Sequence, residues 1–316
     1  MDDAPMSPSW GPLHDQIIDA ANDVYGVHPG RRALHAKGTL LAGEFTPSSD
    51  AARLSTAAHL QGEATRATVR FSNGSGDPSS RDAAQDGRGM AVKLYLDDGT
   101  TTDIVAISRT VFFVRNPQDF LDFMTARKPD PETGQPDMEK LGAWLGEHPE
   151  AGTAVQEQLA AKPPASYAQL AYHSIHAFRF TAGDGEQRWV RYRWEPEAGE
   201  QTLSDDYAAD RGPDYLQEEI SERVAAAPVA FRLHVRIAAA EDDPTDPTVA
   251  WPQEREQVEV GRLELSGLDD SREQGDDVLV FDPTRVTGGI ECSDDQILQA
   301  RAPAYSASVA RRSASR

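Results

Sequence analysis

A chain of 316 residues is long enough for one large domain or two ordinary ones, and 39% hydrophobic residues suffice to build a core. With 52 acidic against 31 basic residues it carries a net charge of −21, a surface that repels nucleic acid and anionic membranes. Its single cysteine, Cys292, excludes an intrachain disulfide framework and any cysteine-rich metal site, and no apolar run reaches membrane-spanning length.

The start, MDDAPMSPSW, is acidic where a secretory leader would be basic, so a cytoplasmic protein is expected. Residues 12–24 place Leu13, Ile17, Ile18, Ala21 and Val24 at helical spacing, predicting a short amphipathic helix within an N-terminal segment of residues 1–29. Residues 30–316 are expected to form a single domain. A turn around Gly26 and Gly30 leads into a predicted strand over 33–45. In 67–72, Val69 and Phe71 fall on one face and Thr68, Arg70 and Ser72 on the other. Were this strand central, a buried Arg and Ser would need partners, and an anionic cofactor would supply one. The β-prone runs 89–96 and 103–114 are joined by Asp97-Asp98-Gly99, a hairpin signal. Asn116 is placed to cap a helix beginning at Pro117, with Phe120, Phe123 and Met124 on one face. Residues 130–165 read as a polar excursion with helices near 137–147 and 151–161. Strands follow at 176–182 and 187–194, then a helix from Pro213 and strands at 229–237 and 257–266. Residues 278–281 lead through the Gly288-Gly289 turn to a last helix. About eight strands without a βαβ rhythm predict an α+β fold, an antiparallel β-barrel with peripheral and inserted helices.

No HExxH, paired CxxC, Walker loop or GxSxG occurs, and the glycine-rich 73–77 leads into no helix and reads as a loop. Of the eight histidines, His14, His28, His59 and His148 are expected to face solvent, and His234 to be a hydrogen-bonded strand residue. His173 has no evident partner, which leaves His35 and His176 on strands. On the last helix Arg301 and Tyr305 sit four apart and share a face. A fixed cation beside a phenol favours the phenolate, a hard oxygen ligand that can hold haem iron, although surface packing is the commoner reading of such a pair. Arg32, Arg70 and Arg312 lie near His35, Ser72 and Tyr305 respectively. Three guanidiniums meeting at one pocket would suit a ligand with carboxylates, such as haem with its two propionates.

Several segments together are specific: RALHAKG at 32–38, VRFS at 69–72, DGRGMAVK at 86–93, DIV at 103–105 and VFFVR at 111–115. VEVG at 258–261, FDP at 281–283, GI at 289–290 and DQILQARAPAY at 295–305 complete the set. In these segments and in their order, over roughly residues 30–312, the chain resembles the haem catalases, and more closely the short catalase-related peroxidases. The resemblance implies that Tyr305 ligates the iron of haem b, with Arg301 as its partner, His176 bonded to that arginine and Asp295 completing a relay. It implies that His35 is the distal catalytic histidine and Ser72 its hydrogen-bond partner. Arg32, Arg70 and Arg312 would bind the propionates. Val105, Phe112 and Phe120 would touch the haem faces, with ordinary core packing the competing reading.

One position departs from the pattern. Ile107, followed by Ser108, stands where the family has a distal asparagine; strand neighbours face opposite ways, so a pocket-facing Ile107 would exclude Ser108. The implied function is a haem peroxidase that reduces hydrogen peroxide or organic hydroperoxides with a small organic electron donor and has weak catalase activity. The alternatives are a fatty-acid hydroperoxide isomerase of the allene oxide synthase kind and a non-catalytic haem-binding protein. His35 together with Ser72 argues against the last, since binding alone requires neither. The arms that interlock larger catalases are not expected, and a monomer or homodimer is.

Overall fold

The computed structural model describes residues 11–269 and 279–314. Its strands are β1 (Gly38–Pro47), β2 (Thr65–Asn73), β3 (Arg88–Tyr95), β4 (Thr101–Ile107), β5 (Tyr172–His173), β6 (Phe178–Thr181), β7 (Gln187–Pro196), β8 (Val229–Ile237), β9 (Gln257–Leu268) and β10 (Ile290–Cys292). Its α-helices are α1 (Gly11–Tyr25), α2 (Ala51–Leu54), α3 (Pro117–Ala126), α4 (Met138–Glu147), α5 (Gly152–Ala160), α6 (Asp205–Ala209), α7 (Tyr215–Ala226) and α8 (Gln296–Ala314). Eight strands follow one another around the sheet in the order β7-β5-β4-β3-β2-β1-β9-β8, and β8 pairs back onto β7. The pairings are antiparallel, so this is the closed antiparallel barrel with helices that the strand count predicts. β6 continues from β5 along the same edge of β7 and carries β10 on its far side. Closure leaves none of the eight barrel strands as an open edge.

The twofold alternation of the strands separates core from site. Val69 and Phe71 of β2, Met90 and Val92 of β3 and Ile104 of β4 point into the barrel and are buried in one continuous cluster. Phe71 stacks on Tyr167 at 5.4 Å between ring centroids and meets Phe231 of β8 at 5.9 Å. Gly261 leaves room for Phe45, since a Cβ there would lie 2.3 Å from the Phe45 ring. The intervening residues, among them Arg70, Ser72 and Val105, face outward, where α1, α3 and α8 pack together. From Ala67 to Asn73 every residue of β2 is buried, because one face meets the barrel core and the other meets the helical layer.

Several elements differ from expectation. The strand predicted over 33–45 begins only at Gly38; before it, the N–H groups of His35 and Ala36 donate to the carbonyls of Gly74 and Ser75 at 3.1 and 3.0 Å instead of to a ladder. The strand predicted over 103–114 stops at Ile107, and Phe112 N–H turns to the Pro247 carbonyl at 2.8 Å, so Phe112 is a loop residue. His176 lies in the bend between β5 and β6, not on a strand. Val278, placed in the approach to the last helix, lies outside the described residues. The cap at Asn116 forms as predicted: its side chain accepts from Asp119 N–H at 3.0 Å, with Pro117 opening α3.

His14 and His59 were expected to face solvent but are buried, while His28 and His148 are half-buried. His59 is 1% exposed, sits against Phe45, and among the described residues neither ring nitrogen has a hydrogen-bond partner. Burial pushes its pKa down to about 4. The unfolded chain therefore binds a proton near pH 6.5 that the fold resists, so the stability is fully present above pH 6.5 and is lost as pH falls toward 4. The loss attributable to this residue is on the order of 3 kcal/mol. Urea midpoints measured between pH 4 and 7 should show that slope, and His59→Leu should flatten part of it.

Candidate active site

Between the outward face of β2–β4 and the helical layer lies a cavity of about 270 Å³. His35, Ser72, Arg32, Arg70, Val105, Phe112, Phe120, Arg301, Tyr305 and Arg312 all line it. His176 and Asp295 stand behind Arg301, outside the lining, and are buried. Residues scattered from 32 to 312 thus meet because the barrel presents alternate strand positions to one helical layer.

His35 occupies one wall. Its backbone is left-handed, with φ at +56°, a conformation that non-glycine residues seldom adopt and that the bonds to Gly74 and Ser75 hold in place. Its Nδ1 lies 3.0 Å from Ser72 Oγ. Gly89 makes that pairing possible: a Cβ there would come 2.7 Å from Ser72 Oγ and 3.2 Å from the imidazole. The residue is half-buried and lines the cavity. Desolvation, reinforced by Arg70, Arg301 and Arg32, pushes its pKa down to about 3. His35 is therefore a neutral base in a cationic pocket.

The opposite wall is α8. Arg301 directs Nε and Nη2 to the Tyr305 hydroxyl at 2.8 and 2.5 Å, a two-pronged contact set by their spacing of four on one helix. A guanidinium can only donate, so it holds that oxygen as an acceptor. Its Nη1 reaches His176 Nε2 at 3.1 Å, and His176 Nδ1 lies 2.6 Å from Asp295 Oδ2. The same logic fixes the tautomer: Nε2 accepts from Arg301, so Nδ1 carries the proton and donates to the carboxylate. Burial lowers the His176 pKa against the pull of Asp295, consistent with a neutral ring. The other Asp295 oxygen accepts from the N–H groups of Ile297 and Leu298, at 2.8 and 3.3 Å, at the start of α8. One carboxylate thus anchors both the helix end and the relay, a capping role that the sequence reading missed.

Arg32, Arg70, Arg301 and Arg312 line the cavity, and among the described residues no carboxylate does. In a chain with a net charge of −21 that is a strong local inversion. Arg70 is buried and crosses Gly38, where a Cβ would lie 2.6 Å from its guanidinium carbon. Arg32 donates to the Leu279 carbonyl at 2.9 Å. Apart from Ser308 the rest of the lining is apolar, with the rings of Phe112 and Phe120 parallel at 6.0 Å. An apolar slot with a cationic rim, a tyrosine oxygen on one side and a neutral histidine on the other, fits a flat anionic macrocycle carrying a metal. Ile107 also lines the cavity, while Ser108 turns away and its Oγ accepts from Arg88 N–H at 2.9 Å.

Sequence reasoning missed other lining residues, chiefly Ile17 and Ile18 of α1, and Ile297 and Val309 of α8. Helical periodicity gave α1 an apolar face; it carried no signal for what that face covers.

The family model for catalase matches residues 27–315. A catalase-related peroxidase of Mycolicibacterium paratuberculosis is 45% identical over 302 residues, covering 95% of each chain. One of Synechococcus elongatus is 31% identical over 302 residues, covering 96% of this chain and 89% of that one. A fungal catalase crystal structure superposes with a TM-score of 0.79 at 27% identity, over 87% of this chain; the chain spans 57% of that longer one. A family match across nearly the whole length, relatives of similar size and a shared barrel all agree: the chain belongs to the catalase family.

Proposed function

We propose that the chain is a haem peroxidase, which reduces hydrogen peroxide or an organic hydroperoxide at the expense of a small organic donor and releases little oxygen. The observation that carries this reading is the pairing of His35 with Ser72 on one wall of a cavity whose other wall is Tyr305 braced by Arg301. The family implies haem, and the relatives named catalase-related peroxidases support peroxide as substrate. Our finer assignment is haem b, with Tyr305 as iron ligand, Arg32, Arg70 and Arg312 toward the propionates, and Val105, Phe112 and Phe120 against the macrocycle. When bound, haem supplies the redox centre that takes up the oxidising equivalents of the peroxide.

The chain's own residues handle the protons and the positioning. His35, held neutral, takes the proton from one peroxide oxygen and returns it to the other, acting as general base and then general acid. Ser72 fixes the orientation of the ring. Arg301 holds the Tyr305 oxygen as an acceptor, and His176 and Asp295 hold Arg301. Ile107 contributes no hydrogen bond beside His35, so a second, small peroxide is poorly oriented for oxidation while bulkier hydroperoxides are accommodated. Among the described residues no helix is long and apolar enough to cross a membrane. On the separate ground of a net charge of −21, which repels anionic membranes, we assign the protein to the cytoplasm, as a monomer or homodimer.

Oxygen release and dye oxidation measured on the same sample test this reading. Dye oxidation should dominate; oxygen release without dye oxidation, or rearrangement of a lipid hydroperoxide without consumption of reductant, would refute it. Ile107→Asn should raise oxygen release relative to dye oxidation about tenfold, the effect of one added hydrogen bond at the reacting centre.

A further inference from the structure

Outside the cavity lining, Asp119, His148 and Glu150 bring one ligand atom each to within 4.8 Å of one another. They come from two pieces of chain: the first turn of α3, and the continuous turn between α4 and α5 that holds both His148 and Glu150. We propose that this trio binds a first-row divalent cation, Zn²⁺ by its mixed imidazole and carboxylate donors, at a site distinct from the cavity. Three protein ligands of this kind leave a coordination position for water, and imidazole with carboxylate suits Zn²⁺ better than the all-oxygen preference of Mg²⁺ or Ca²⁺.

His148 and Asp119 are already held by groups outside the trio, as metal ligands are. The His148 ring stacks on Trp144 at 4.0 Å and 19°, and Trp144 is itself buried against Phe113 and Phe123. Asn116 Nδ2 donates to Asp119 Oδ2 at 2.7 Å. His148 Nδ1 lies 3.0 Å from Glu150 Oε1, and both side chains are largely shielded, at 17% and 11% exposure. The group places two carboxylates close together beside one imidazole. Arg115 acts on Glu150, yet its guanidinium is engaged by Asp246 at 2.9 Å. A cation at the trio would tie α3 to the 130–165 excursion. Because Asp119 directly precedes Phe120, which lines the cavity, such a clamp would steady that wall.

The test is calorimetric titration of the purified, chelator-washed holoprotein with ZnCl₂, alongside its melting temperature. One saturable site per chain is expected, with a rise in melting temperature and no comparable response to MgCl₂. Glu150→Gln and Asp119→Asn keep the side-chain shapes, and unchanged circular dichroism would establish that both variants are folded. Each should weaken zinc binding at least about tenfold. The proposal is overturned if the wild type shows no saturable zinc site, or if either folded variant binds zinc as the wild type does, which would place the ion elsewhere or leave the trio as a local hydrogen-bonded cap.

Discussion

Tyr305→Phe should purify with its haem content cut at least about tenfold. Loss of a group that merely supports a metal ligand typically costs about 10–100-fold in metal affinity, and loss of the ligand itself costs no less. The substitution removes one oxygen and keeps the ring, so the cavity wall and α8 should survive. Arg301 would lose the acceptor of Nε and Nη2 while keeping His176, so the relay to Asp295 stays assembled. The check is the ratio of haem to protein absorbance, with circular dichroism to show that the barrel is intact. Haem content equal to wild type in a folded Tyr305→Phe chain would remove Tyr305 from the ligand role.

His35→Ala should do the converse, leaving haem content near wild type and lowering peroxide turnover by about 10²–10⁴-fold, the usual contribution of a positioned general acid–base. The ring touches Ser72 and faces the cavity; it braces no part of the barrel core. Its acid limb has a definite sign as well. Only neutral imidazole accepts the peroxide proton, and the depressed pKa keeps the ring neutral to well below pH 6.5. Bound propionates would counter the share that Arg70 and Arg32 contribute, but desolvation is the larger cause and acts in the same direction. The wild-type rate should accordingly hold from neutral pH to below 6.5. Near wild-type turnover in His35→Ala would show that the proton is handled elsewhere.

The barrel was legible because antiparallel strands with one face in a core alternate in sequence. β2 displays this most clearly: its Val69 and Phe71 face and its Arg70 and Ser72 face are both where the pattern puts them. Helix α3 was legible from its cap and proline. What escaped local reading depended on distant chain. The strand before Gly38 fails because His35 and Ala36 bond to Gly74 and Ser75, and the strand after Ile107 fails because Phe112 bonds to Pro247. The exposure of His14 and His59 is set by what packs over them, which periodicity does not encode. Spacing four apart put Arg301 and Tyr305 on one face, and the structure joins them. The meeting of Arg32, Arg70 and Arg312 at one cavity was suggested by their closeness to His35, Ser72 and Tyr305, while their role toward propionates came from the family resemblance.

The visible absorption spectrum of the wild-type protein, purified and supplied with haemin, tests the central claim most directly. An intense Soret band saturating at one haem per chain is expected. A protein that stays colourless, or that takes up haemin without saturation, would contradict the assignment of this cavity to haem.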